Sequence, residues 1–142
     1  MIRRLLLLTS LVAFAFSAVA DTDEAVQARK VALELAGAFS NDGFKIRDGH
    51  WSAPLKGGDT ALIAVNLYAG NQYWFSVGAH HELKPFTVAV HDENGKPMTT
   101  EGYQSEDKAA AGFSPTVSGQ YFVSIAPSEP AETTYCLVYS YK

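Results

Sequence analysis

The sequence predicts an all-β protein, an antiparallel, jelly-roll-like β-sandwich, with one amphipathic α-helix on its N-terminal side. Three observations predict it. From Phe44 onward apolar residues recur at every second position, the period at which a strand sends side chains to alternate faces. Clusters of Gly, Asn, Asp, Ser and Pro interrupt these runs at short, regular intervals, as sandwiches and barrels require. Ahead of Phe44 a single Ala-rich stretch follows a period of 3.6, and no strand–helix alternation exists to build a parallel sheet.

In chain order, the first segment reads as an export signal. Arg3 and Arg4 are followed by an apolar run from Leu5 to Phe16, broken only by Thr9 and Ser10. Ser17-Ala18-Val19-Ala20 then supplies the small residues of an Ala-x-Ala site. Charge, length and small residues together describe a Sec-type signal peptide over 1–20, cut after Ala20. The run is shorter than the about 20 apolar residues of a spanning helix, so no membrane span is expected after cleavage.

Residues 21–43 are expected to be a helix and linker. Asp21 and Glu24 fit a capping box. At 100° per residue Ala25, Ala28, Val31, Ala32, Leu35, Ala36 and Phe39 share one face, while Val26 and Leu33 fall off it. Ser40-Asn41-Asp42-Gly43 ends the helix. Its apolar face is expected to pack on the domain that follows; docking to a partner is the alternative.

Residues 44–142 then alternate. Inward rows are read at Phe44 and Ile46; Ile63, Val65 and Leu67; Tyr73, Phe75 and Val77; and Phe86, Val88 and Val90. They continue at Ala109, Ala111 and Phe113; at Tyr121, Val123 and Ile125; and at Tyr135, Leu137, Tyr139 and Tyr141. A short strand is expected around Trp51. Asn94-Gly95 marks a hairpin, since both residues tolerate positive φ.

Charge and cysteine content exclude some roles. The 142 residues carry a formal charge of −4, with 11 basic and 15 acidic residues. Signal removal takes two basic residues and no acidic one, leaving 122 residues at −6. No basic cluster remains, which argues against nucleic acid or an anionic membrane as partner. Cys136 is the single cysteine, so no intrachain disulfide forms, and it reads as a small buried residue on a strand.

The segment from Gly58 to Tyr141 resembles the bacterial pre-peptidase C-terminal domain family. The likeness is carried by Gly58-Asp59, by Leu67-Tyr68-Ala69-Gly70-Asn71-Gln72-Tyr73-Trp74-Phe75, and by Val88-Ala89-Val90-His91-Asp92-Glu93-Asn94-Gly95. Phe113-Ser114-Pro115, Ser118-Gly119-Gln120-Tyr121-Phe122-Val123 and Tyr135-Cys136-Leu137 complete it. The resemblance implies a jelly-roll-like sandwich acting as an accessory module of exported enzymes. In this chain a leader helix stands where the enzyme domain would be, and no ligand residue of the family carries over.

Candidate chemistry is sparse. Ser105-Glu106-Asp107-Lys108 matches Ser-x-x-Lys without its companion motifs and reads as a charged loop. His80-His81-Glu82, with His50 and His91 at a distance, is the best metal candidate. Neighbouring strand residues point to opposite faces, however, so a solvated loop is the preferred reading and no metal is expected. Asp92-Glu93-Asn94-Gly95 is a fragment of a calcium loop and, more simply, a hairpin turn. Trp74, flanked by the inward Tyr73 and Phe75, must face the other way, either toward a ligand or under the helix, the helix being favoured. Trp74, Trp51 and Tyr103 are the candidate ligand-binding residues.

These readings converge on a non-catalytic, cofactor-free interaction domain in the periplasm or outside the cell. Its partner would be a protein or cell-envelope component. A carbohydrate-binding module with an exposed aromatic platform is the alternative, and a metal-dependent hydrolase using the histidines is the remote one. The export reading predicts that protein recovered from the periplasm or medium has the intact mass of a chain beginning at Asp21. A chain that keeps residues 1–20 and stays with the membrane fraction would overturn it.

Overall fold

Small side chains on one helix face and on one sheet face decide how this chain stacks. The computed structural model describes residues 22–81, 86–128 and 130–142. The signal segment, Asp21 of the expected capping box, Glu82 and the Lys84-Pro85 loop lie outside the described residues. Helix α1 spans Asp23–Ser40. Its N-cap is Thr22, whose Oγ1 accepts from the Ala25 amide at 3.1 Å. The start is thus capped by a hydroxyl, with Asp23 and Glu24 favourably placed against the dipole of the first turn. At the other end the chain turns through Gly43, at φ +91°, a conformation glycine adopts without steric cost.

Nine strands follow: β1 (Lys45–Ile46), β2 (Trp51–Leu55), β3 (Ala61–Leu67), β4 (Tyr73–Ala79), β5 (Phe86–His91), β6 (Glu101–Gln104), β7 (Lys108–Phe113), β8 (Gly119–Pro127) and β9 (Thr133–Tyr141). They form the expected antiparallel sandwich. One sheet has six strands in the order β1-β9-β4-β7-β6, with β2 pairing the same edge of β9 as β1. The other has three, β3-β8-β5. Strand β6 was not legible in the sequence, because all four of its residues are exposed and show no apolar alternation.

Alternation holds along the longer strands, but Ile46 and Tyr141, read as inward, are exposed, because two-residue β1 and the last residue of β9 lie at the sheet's edge and end, beyond the packed core. Tyr73, Phe75, Val77 and Ala79 of β4 face the three-stranded sheet, together with Ala109, Ala111 and Phe113 of β7 and Tyr135 and Leu137 of β9. Val65, Leu67, Phe86, Val90, Tyr121, Val123 and Ile125 meet them from the smaller sheet. Phe86 packs edge-on against Tyr135, and Phe113 against Tyr121, with ring centroids 5.0 and 5.2 Å apart. Tyr73 is buried, but its hydroxyl reaches the β3–β4 turn, accepting from the Tyr68 amide and the Asn71 side chain.

The opposite face of the large sheet lies under α1, making a third layer. Ala28, Ala32 and Ala36 pack on Cys136 and Val138, and Cys136 is fully buried there. Gly78 sits beneath the helix axis. A Cβ at Gly78 would collide with the Ala28 carbonyl oxygen and lie 2.5 Å from the Ala32 nitrogen. Helix and strand therefore touch backbone to backbone. Trp74, on the same face, stacks on Phe39 at 4.2 Å with 8° between the planes. A Cβ at Gly112 would come within 2.9 Å of the Trp74 benzo ring. The helix thus takes up the face that Trp74 presents.

Overpacking a close contact of this kind costs about 1–3 kcal/mol, and the obstacle here is backbone, which cannot rotate away. Gly78→Ala should therefore destabilise the fold by about 3 kcal/mol in urea unfolding. Gly102→Ala, with nothing near its added Cβ, should stay within about 0.5 kcal/mol. Equal midpoints for the two variants would mean that α1 does not seat on β4 in solution.

Candidate functional site: a cleft at the open edge of the sandwich

The large sheet has a flaw at one edge, and a cleft of mixed chemistry lies there. β1 pairs Ile46 with Ser140, and β2 resumes with Trp51 opposite Leu137. Four residues, Arg47 to His50, thus oppose only Val138 and Tyr139. The excess pushes the chain outward in a bulge, helped by Gly49 at φ +94°. Bulges at sheet edges commonly re-aim side chains in this way. The Arg47 amide still donates to the Tyr139 carbonyl, at 2.9 Å, so the bulge leaves β9 after that bond.

Across from the bulge runs β3, the edge strand of the small sheet. Between them lies a cleft of about 290 Å³, lined by residues 47–51, residues 63–66, Leu137 and Tyr139. Its floor is apolar and aromatic. Trp51 and Leu137 share the inward face of the large sheet, and Ile63 and Val65 face them from β3. Arg47, Asp48, His50 and Asn66 form an exposed polar rim. Apolar walls with a few polar groups are the usual makeup of a recognition site.

Arg47 and Tyr139 are a coupled pair. The guanidinium donates to the Tyr139 hydroxyl at 2.5 Å, and its carbon lies 5.4 Å from the ring centroid. The ring is held from behind by Phe75 and Tyr73, at 5.4 and 6.4 Å. Burial pushes the Tyr139 phenol above its ordinary value of 10.0, because the phenolate would lose water; the charge and hydrogen bond of Arg47 work against that rise. His50 lies beside Arg29 of α1, its Nε2 3.4 Å from the guanidinium.

The three aromatic residues singled out from sequence are not brought together. Trp51 lines the cleft. Tyr103 lies on β6 at the far edge of the same sheet, with β9, β4 and β7 between, so four strand steps of about 4.8 Å separate them by about 19 Å. They also face opposite ways, Trp51 with Leu137 toward the small sheet and Tyr103 with Ala110 toward the helix side. Trp74 lies under the end of α1. Arg47 and Tyr139 were missed as site residues. The one signal for them was Arg47-Asp48-Gly49-His50, polar and containing a glycine, breaking the alternation between Ile46 and Trp51.

The histidines are dispersed and individually engaged. His80 Nδ1 accepts from the Thr134 amide at 3.1 Å, and its ring packs edge-on against His81. His91 Nε2 lies 3.0 Å from Ser124 Oγ on the outer face of the small sheet. Glu82, the third member of the metal candidate, is outside the described residues. Among the described residues no group of three His, Cys, Asp or Glu is placed to hold a metal. The Asp92 Oδ1 accepts from the Asn94 and Lys96 amides, at 2.9 Å each. Only Gly95 of this hairpin has positive φ. The turn is therefore a three-residue loop closed by an αL glycine, not the two-residue form with positive φ at both positions. Ser105 and Lys108 close the tight β6–β7 turn, Ser105 N donating to Lys108 O.

No family model matches the chain, and no curated protein matches it. Among the described residues no helix is long and apolar enough to cross a membrane.

The raised phenol has a consequence for stability. The folded protein holds the Tyr139 proton more tightly than the unfolded chain, so above pH 10 the unfolded state binds fewer protons and stability falls as pH rises. The contribution is intact below pH 10 and is lost as pH climbs through the folded value. Urea unfolding from pH 9 to 11.5 should show this alkaline slope in the parent and a shallower one in Tyr139→Phe. Arg47→Gln should move the Tyr139 phenolate absorbance titration upward, and a downward move would contradict the pairing.

Proposed function

We propose that the protein is a non-catalytic exported interaction domain that engages a protein or cell-envelope partner in the cleft beside Trp51. One observation carries the reading: the bulge at Arg47–His50 holds an aromatic floor open next to a charged rim. The export signal read over 1–20 supports the location, and the sequence's resemblance to pre-peptidase C-terminal domains supports an accessory role. The separate structural engagements of His50, His80 and His91 favour recognition over catalysis. A glycan platform made of Trp51, Trp74 and Tyr103 receives no support from their placement, so a polypeptide partner is the better fit.

A photo-crosslinking amino acid placed at Asn66, on the cleft rim, and separately at Glu106, on the exposed β6–β7 turn, tests this in the exporting host. A discrete light-dependent adduct from position 66 and none from position 106 is expected. Adducts from neither position, or the same adducts from both, would rule the cleft out as the interaction site.

A further inference from the structure

The four sheet edges are not alike, and the difference identifies what the cleft binds. An open edge presents unpaired N–H and C=O groups, so folded proteins normally blunt it. β2 carries Pro54, which has no N–H to offer. β6 is only four residues long and begins with Glu101. β5 is covered at both ends: Met98 N donates to Val90 O, His91 bridges to Pro97, and the Gln104 side chain donates to Phe86 O at 2.9 Å. β3 has none of these protections. It runs seven residues, Ala61–Leu67, without a charge, a proline or a bulge, and pairs with β8 along its whole length. Among the described residues no hydrogen bond reaches it besides that ladder. Its free side opens into the Trp51 cleft, facing the Arg47–His50 bulge.

From this we infer that the cleft takes up an extended polypeptide segment that adds as a strand to the free edge of β3 and carries a carboxylate to Arg47. The inference rests on the cleft being the interaction site. Backbone pairing along an open edge supplies affinity, and side chains on alternate positions supply choice. Alternate residues of the added strand would face Trp51, Ile63 and Val65 on the core side. The charge argument comes from the rim. The Arg47 guanidinium meets the Tyr139 hydroxyl and ring but no carboxylate among the described residues. Asp48 is the one acid on the bulge, so it disfavours a carboxylate at the position next to the one Arg47 accepts. A two-walled slot suits a lone strand better than the edge of a second folded copy, which would bring its own Arg47–His50 bulge into the same space.

The test uses the purified full chain carrying Trp74→Phe, which leaves Trp51 as the one tryptophan. The probes are an acetylated, amidated heptapeptide of alternating valine and glutamate, its lysine-for-glutamate analogue, and the glutamate peptide N-methylated at alternate residues. The glutamate peptide should shift Trp51 emission and slow amide exchange across Ala61–Leu67. Arg47→Gln should weaken it about tenfold, the size of one lost charged hydrogen bond, and leave the lysine peptide unchanged. N-methylation should abolish protection of β3. A Trp51 shift without β3 protection would overturn strand addition while leaving the cleft as a binding site. Absence of both responses at millimolar peptide overturns the strand-addition inference, and the crosslinking at Asn66 then judges the cleft independently. Equal binding of the N-methylated peptide would reduce the interaction to charge alone. Sedimentation as a dimer, with β3 already protected before peptide is added, would give the edge to a second copy.

Discussion

The backbone contact between α1 and β4 at Gly78 governs the rest of the molecule. A helix normally stands off a sheet by the thickness of two side-chain layers. Here Ala28, Ala32 and Ala36 on one side, and Gly78, Ser76 and Cys136 on the other, remove most of that thickness. The result is a large sheet buried on both faces along β4 and β9, whose strands show runs of consecutive buried residues in place of alternation. The interface selects for size more than polarity. Ser76 and Ser140 are fully buried, and their hydroxyls meet no partner among the described residues. Such hydroxyls are costly, so close approach must be worth more there than polar satisfaction.

Burying the outer face of the large sheet moves the chemistry to the edges. Trp74 becomes part of the helix seat, stacked on Phe39 and resting near Gly112. The core between the sheets is filled with aromatic and aliphatic side chains. What stays open is the seam where the two sheets part. On the β5–β6 side a glutamine side chain and a short return segment cross that seam, beside a second cleft of about 290 Å³ lined by Phe86, Thr87, Val88 and Tyr103. On the β2–β3 side the bulge holds it apart, with Tyr139 as a rigid floor braced by Phe75 and Tyr73 and tied to Arg47.

Legibility from sequence followed how strongly each feature repeats. The helix, its buried stripe and most strands were readable because burial imposes a period, and the off-stripe Val26 and Leu33 are indeed exposed. Strand β6 was not, since an exposed edge strand imposes none. The helix start was displaced by one residue because a threonine hydroxyl and an aspartate can each cap, and local geometry chose Thr22. The candidate site was legible in two residues of its lining, Trp51 and, in a different role, His50. Arg47 and Tyr139 lie 92 positions apart, and nothing local couples them.

The amino-acid order by itself determined the class of the fold, the helix and its inner face, and the burial of Cys136, because each depends on neighbours within a turn or a strand. Which face of β4 meets the helix, how close the two come, and which sheet edge stays unpaired were decided only by the assembled layers. Those outcomes depend on register and on the meeting of distant side chains, which no short window of sequence contains.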